Sequence, residues 1–240
     1  MKSYIIGDIH CCCRALLRLL DILSPDPKED RLILLGDLFD RGPDSWDVWQ
    51  EVQLLARSFG DRFVLLRGNH EDYLLAPKLS FEERWVWERV GRGTTVKSFK
   101  EHGGRMEDCI PWIREHVQLF YRDEDEGFQC VHAGLKIDPP EANDLCTLVH
   151  DHSIVLDNRY AGPLTITGHI ALDHPAWFAG DGETVELLPL NMPEEAESGW
   201  RPLPAYGTIC IDTGCGKGGT LTGMVIEDGT YILVNQGTVP

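Results

Sequence analysis

No stretch of this 240-residue chain approaches the ~20 consecutive apolar residues of a membrane span, which excludes a helical transmembrane protein. The opening residues, MKSYIIGDIH, reach charge after only a few apolar positions, so no secretory leader core is expected there. Basic residues are scarce: 22 Lys+Arg face 39 Asp+Glu, for a formal charge of -17, the opposite of a nucleic-acid binder's footprint. Paired CxxC spacing is missing although the chain has 8 cysteines, so reduced thiols and a cytoplasmic location are expected rather than a disulfide scaffold. An acidic protein that handles anions needs local cations, and bound metal ions can invert the field of a site.

What the chain does have is 42% hydrophobic residues, enough for a substantial core. Arg31 to Gly42, RLILLGDLFDRG, is the most informative stretch. Leu32 to Leu35 read as a buried strand that stops at a glycine, two aspartates and an arginine. Lys2 to Ile6 is a similar strand ending at Asp8 and His10, and Arg62 to Leu66 one ending at Arg67, Asn69 and His70. Helical periodicity over Cys12 to Leu23, and from Pro43 to about Phe59, separates them. This β-α-β-α-β order puts the strands parallel, so Asp8, His10, Asp37, Asp40, Arg41, Arg67, Asn69 and His70 converge on one sheet edge.

Phe128 to Val131, ending at His132, and Leu164 to Thr167, ending near His169, repeat that logic. Residues 81 to about 120 look helical, carry much aromatic bulk and show no chemistry; they are expected either to cap the sheet and shape substrate access or to serve as plain scaffold. From Thr184 the pattern becomes short strands (Val185 to Leu188, Thr208 to Ile211, Leu221 to Ile226, Tyr231 to Val234), with Asp228-Gly229 as a hairpin turn. These are expected to form a second, antiparallel sheet, and Asn191 to Pro204 an exposed loop. Cys130 and Cys210 read as small core residues.

Aspartate, histidine and an asparagine carbonyl suit manganese, iron or zinc, whereas calcium avoids imidazole. Two such ions ~3.5–4 Å apart would polarise a phosphoryl group and activate water. GDIH at 7–10, GDLFDRG at 36–42, RGNHE at 67–71, HAG at 132–134 and GH at 168–169 closely resemble the phosphoprotein phosphatase branch of the calcineurin-like metallophosphoesterases. IDTGCGKGGTLTGMVI at 211–226 is similar to bacterial and phage members, which include Ser/Thr phosphatases and diadenosine tetraphosphatases.

The resemblance implies one domain over residues 1–240 in the α/β (α+β) class: a four-layer α/β/β/α sandwich of mixed sheets flanked by helices. It implies two divalent ions, manganese foremost with iron or zinc as alternatives. Asp8, His10 and Asp37 would hold the first; Asp37, Asn69, His132 and His169 the second, with Asp37 bridging. A dimetal-bound hydroxide would attack phosphorus directly, with His70 as general acid oriented by Asp40 and the phosphate bound by Arg41 and Arg67. The expected activity is phosphomonoester hydrolysis on phosphoserine or phosphothreonine proteins. The alternatives are dinucleoside polyphosphate hydrolysis and a catalytically silent binding protein. Partners are then a phosphorylated protein, peptide or small molecule, with no nucleic acid and no membrane; oligomeric state stays open.

Two departures stand out. The family's usual glycine after GDxH is Cys11, which either fits the turn as a small side chain or tunes the site to oxidation. A W-x-R motif common in bacterial and phage relatives is replaced by Thr147-Leu148-Val149-His150-Asp151, so a third phosphate arginine is missing or is supplied by Arg159. Glu71 reads as structural, and His102, His116, His150, His152 and His174 as surface or packing residues.

Overall fold

A computed structural model describes residues 1–191 and 199–237. The first sheet begins as expected. β1 (Ser3–Ile6), β2 (Arg31–Leu34) and β3 (Phe63–Leu66) run parallel, joined by α1 (Cys13–Leu23) and α2 (Ser45–Phe59). In α1 the buried Ala15, Leu16 and Leu19 share one face, and the helix stops where Ser24 turns left-handed (φ 47°) before Pro25.

The strands are buried on both faces, which is why they read as continuous apolar runs. Ile6, Leu32 and Leu34 pack under the helices, whereas Ile5, Ile33 and Leu35 face the second sheet. Each is fully buried, and each such side chain contributes roughly 1.5–3 kcal/mol of transfer free energy.

After β3 come α3 (Asn69–Leu75), α4 (Phe81–Arg89), α5 (Arg92–Glu101) and α6 (Ile110–His116). The expected helical cap therefore stops short of 120. β4 (Val117–Gln118) extends the first sheet beside β3, and β5 (Phe120–Asp123) opens the second. Phe99 of α5 is fully buried and packs edge-on against Phe39 (6.0 Å) and Trp46 (5.5 Å), which clamps the cap onto the loop that follows β2.

The second sheet continues with β6 (Phe128–Val131), and then, past α7 (Leu145–His150) and α8 (Ser153–Leu156), β7 (Thr165–Thr167), β8 (Ala176–Phe178) and β9 (Val185–Leu187). β10 (Arg201–Pro202), β11 (Thr208–Cys210), β12 (Thr220–Glu227) and β13 (Thr230–Gly237) complete the chain. The two strand orders are β10-β13-β12-β1-β2-β3-β4 and β5-β6-β7-β11-β8-β9. Helices cover the outer face of each sheet, giving the α/β/β/α sandwich.

The carboxy-terminal strands depart from expectation. β12 and β13 pair antiparallel with each other and, through β12, with β1, so they belong to the first sheet. The second sheet is mixed, because β6, β7 and β11 are parallel. Asp228 and Gly229 do form the tight hairpin turn, both with positive φ. Within the expected 191–204 loop, Asn191 is buried and Arg201–Pro202 is an edge strand, while 192–198 lie outside the described residues. Cys130 and Cys210 are core residues. Among the described residues no helix is long and apolar enough to cross a membrane.

Candidate metal centre

Two parallel cores, β1-β2-β3 and β6-β7-β11, aim their carboxyl ends at one place. Asp8, Asp37 and Asn69 follow the first set; His132, His169 and Asp212 follow the second. Nine non-glycine residues have positive φ among those described, and His10, Asp37, Asp40, Arg41 and His169 are five of them. Left-handed backbone at such side chains is costly and persists where the surrounding structure fixes it, as at functional sites.

Asp37 sits at the centre and is buried. His10 Nε2 lies 3.4 Å from its Oδ2, and His132 Nε2 lies 3.5 Å from its Oδ1, so each carboxylate oxygen faces a different imidazole. Both rings are oriented from behind: His10 Nδ1 donates to the Phe39 carbonyl (2.9 Å) and His132 Nδ1 to that of Leu35 (2.8 Å). That fixes the tautomer and leaves the Nε2 lone pairs toward Asp37. Asn69 Oδ1 stands 3.2 Å from His132 Nε2 and 3.0 Å from His169 Nδ1.

Donor atoms of Asp37, His132 and His169 lie within 4.8 Å of one another, as do those of His10, Asp37 and His70. Asp8 is in neither triple. Its two oxygens accept the His169 backbone N–H at 3.2 and 3.0 Å. Gly168 allows this approach, since a Cβ there would meet Asp8 Oδ1 at 2.0 Å.

Protonation suits metal binding. Burial pushes His10 and His169 down to about 3 and lowers His132 as well, which keeps these rings neutral. For Asp37, burial pulls the carboxyl up, but attraction to the surrounding histidines in their charged forms, His132 first and then His70, His10 and His169, outweighs it and lowers its pKa. Asp8 is pushed well up by burial and then by the nearby carboxylates of Asp212 and Asp37. Neutral imidazoles and a buried acid cluster short of positive charge are a donor set that fits divalent cations. His169 Nε2, buried without a partner, belongs to the same cluster.

His70 differs from the other three imidazoles. Burial again favours the neutral ring, but Asp37 and Asp40 outweigh it and its pKa is raised. Its Nδ1 is 2.6 Å from Asp40 Oδ2. This ring is thus anchored at Nδ1 and shifted toward its protonated form, unlike the other three.

Asp40 in turn accepts Trp87 Nε1–H (2.7 Å) and Thr95 Oγ1–H (2.6 Å), while its own N–H donates to Thr95 Oγ1 (3.0 Å). Trp87 and Thr95 lie on α4 and α5, so the cap read from the sequence as chemically silent holds the carboxylate that faces His70. Glu71 is structural, as expected: its buried carboxylate accepts the N–H groups of Asp37, Leu38 and Gly68 at 2.8, 2.9 and 3.0 Å.

Arg41 Nε donates to His10 Nε2 (3.1 Å), which places its guanidinium at the site. Arg67 pairs with Asp72 rather than with Glu71, and its Nε is buried without a partner. Two histidines taken from the sequence as surface or packing residues lie at the site's margin. His150 Nε2 bonds Asp72 Oδ2 (2.8 Å), and the His152 ring is 4.5 Å from that of His169. His102 and His116 do pack, on Trp46 and Trp112. The guanidinium of Arg159 lies against Gly182 and lines a separate 440 Å³ cavity with Lys136 and Asp151, which none of the clustered Asp, Asn and His side chains lines.

Cys11 has φ 60°, where glycine would be unstrained, and is fully buried with Sγ 2.9 Å from Ser45 Oγ. Burial raises its thiol well above the ordinary value, so Cys11 fits the turn as a packing residue and not as an oxidation-prone one.

A four-layer sandwich with this His/Asp cluster beyond its strand ends defines a metallophosphoesterase. A model of the calcineurin-like phosphoesterases matches residues 1–193, and the chain belongs to that family. It is 33% identical over 141 residues to the symmetrical bis(5'-nucleosyl)-tetraphosphatase of Pseudomonas fluorescens (strain SBW25), covering 59% of this chain and 44% of that one. The chain thus spans under half the length of that relative. The enzyme of the same description from Thioalkalivibrio sulfidiphilus (strain HL-EbGR7) is 28% identical over 268 residues, covering 92% of this chain and 94% of the relative. A protein serine/threonine phosphatase from Saccharomyces cerevisiae aligns with TM-score 0.63 at 14% identity, covering 100% and 81% of the two chains, a likeness of fold.

Proposed function

We propose that the chain is a metal-dependent hydrolase of dinucleoside polyphosphates that cleaves a phosphoanhydride bond. The observation that carries this reading is an alignment over 92% of the chain, at 28% identity, to a relative named for that activity. The phosphoserine or phosphothreonine protein substrate expected from the sequence would use the same site, but its support is a likeness of fold.

Asp8, His10 and Asp37 would hold one divalent ion, and Asp37, Asn69, His132 and His169 a second. Imidazole, carboxylate and amide oxygen together suit manganese foremost, then iron or zinc. Such ions, when bound, neutralise phosphoryl oxygens and acidify the attacking water. Arg41 and Arg67 grip the remaining phosphoryl oxygens through their N–H donors. As the water oxygen bonds to phosphorus and the bridging P–O bond breaks, His70 Nε2 gives its proton to the departing oxygen. Asp40 holds the ring at Nδ1 throughout. A nucleoside diphosphate is a better leaving group than an alkoxide, so dependence on His70 is graded by substrate.

The test strips metal with a chelator, restores Mn2+, and compares kcat/KM for diadenosine tetraphosphate, a phosphoserine peptide and para-nitrophenyl phosphate. The dinucleotide is expected to lead and to yield two nucleoside diphosphates. A peptide that leads overturns the reading in favour of a protein phosphatase. Absence of turnover on all three with manganese, iron and zinc marks a binding protein.

A further inference from the structure

The mechanism above does not use Cys12 or Cys215, which meet beside the metal-binding turn. Cys12 is half-buried, directly precedes α1 and lines a 630 Å³ cavity together with Arg14, Arg41, Pro43 and Gly216. Its Sγ accepts the Gly216 N–H at 3.1 Å, which sets it against the residue after Cys215 and in side-chain contact with Cys215 itself, and it donates to the His10 carbonyl at 3.6 Å. Cys215 is buried directly behind it, on the loop between β11 and β12. Cys12 thus borders the cavity, and Cys215 is buried behind it.

We infer that Cys12 and Cys215 form a modification site for hydroperoxides, closing to a disulfide that disables the adjoining centre. Cys12 sulfur takes one oxygen from the hydroperoxide, whose O–O bond breaks and which leaves as water or an alcohol, giving the sulfenic acid. Cys215 sulfur then attacks Cys12 sulfur. The S–S bond forms, the S–O bond breaks, and water departs with the Cys215 proton. Both thiols together lose two electrons and the hydroperoxide gains them.

Closing the bond draws the two neighbouring sulfurs to ~2.05 Å, so the Cys215 loop and the Cys12 turn must approach. There is no slack for that movement. The backbone is already so close that a Cβ at Gly216 would lie 2.5 Å from the Cβ of His10 and 3.2 Å from that of Arg41. His10, two residues before Cys12, and Arg41 therefore shift when the bond forms, and metal retention and phosphate binding are lost together.

The test exposes the manganese-loaded protein, in a Cys146→Ser background that removes the one exposed thiol among the described residues, to hydrogen peroxide. Peptides are then mapped without reductant. A peptide pair joining Cys12 to Cys215, released by dithiothreitol, is expected, with loss of most para-nitrophenyl phosphate turnover and its return on reduction. Cys215→Ser should trap the Cys12 sulfenic acid as a dimedone adduct, and Cys12→Ser should give neither product and keep its turnover under peroxide. Unmodified thiols at both positions, linkage to another cysteine, a disulfide without loss of turnover, or equal inactivation of Cys12→Ser each overturns the proposal. Mapping needs no substrate, so failure here is distinguishable from failure of the hydrolase reading.

Discussion

The indole N–H of Trp87 donates to Asp40 Oδ2, the same oxygen that faces His70 Nδ1. The cap thus reaches His70 through a single carboxylate oxygen. With Thr95 on the other oxygen, Asp40 has no freedom to rotate away from the imidazole.

Trp87→Phe removes that donor and keeps most of the ring. A hydrogen bond to a charged group is worth about 1.5–3 kcal/mol, and each ~1.4 kcal/mol is a factor of ten in rate. Thr95 still holds Asp40, so the low end applies: kcat on esters with poor leaving groups is expected to fall about tenfold, with KM and bound metal unchanged. His70→Asn should lose ~10²–10⁴ on the same esters. Steady-state kinetics beside metal analysis decide; a Trp87→Phe enzyme with unchanged kcat would leave the cap as scaffold only.

Asp72 links Arg67 to His150, and its ionised form has a pH signature. Burial raises the carboxyl, but the hydrogen bond from His150 and the charge of Arg67 prevail and hold it below its ordinary 3.8. A depressed folded-state pKa contributes stability that is present above the unfolded value and is lost as pH falls through the folded one. Asp72→Asn should therefore lower Tm by a constant amount from neutral pH down to about 4, and the gap to wild type should close below that. Thermal melts between pH 7 and pH 2.5 check this, and a gap that widens on acidification would contradict the depressed carboxyl.

Much of the architecture was legible because the strands of the first sheet are buried on both faces and end abruptly in charge. Asp8, Asp37, Asn69, His132 and His169 all follow apolar runs; parallel topology gathers each set at its own sheet edge, and the packing of the two sheets face to face joins the sets. The carboxy-terminal hairpin was assigned to the wrong sheet because Leu221 to Ile226 carries no local mark of its partner. The pairing of Ile5 with Met224 is a fact of tertiary contact. Trp87 was hidden for a related reason. Its spacing is that of any cap aromatic, and only the contact with Asp40, 47 residues away, reveals its task. His150 and His152 show no mark in the sequence because His150 ends the six-residue α7 and His152 precedes the four-residue α8, both too short to show a periodicity.

Cys11 replaces the family's usual glycine, and opposing terms decide what reverting it would do. At φ 60° an L-residue carries roughly 1–2 kcal/mol of left-handed strain that glycine relieves. Against this, glycine costs about 0.5–1 kcal/mol in unfolded-state entropy. Removing the buried thiol also forfeits packing and its contact with Ser45 Oγ, a loss of about 1 kcal/mol for so small a side chain. Ser45 Oγ retains Thr95 Oγ1 at 3.3 Å, so no polar atom is stranded. The terms nearly cancel, and Cys11→Gly is expected to shift stability by no more than about 1 kcal/mol and to leave turnover intact. Cys11→Val fills the same space with a β-branched side chain in a region such residues avoid, beside His10 and the Leu38 carbonyl that Cys11 N–H bonds at 2.9 Å. It should lower Tm and metal occupancy together. Denaturant titration and metal analysis of both variants separate strain from packing: if valine is tolerated and glycine is not, thiol packing rather than backbone conformation governs this turn.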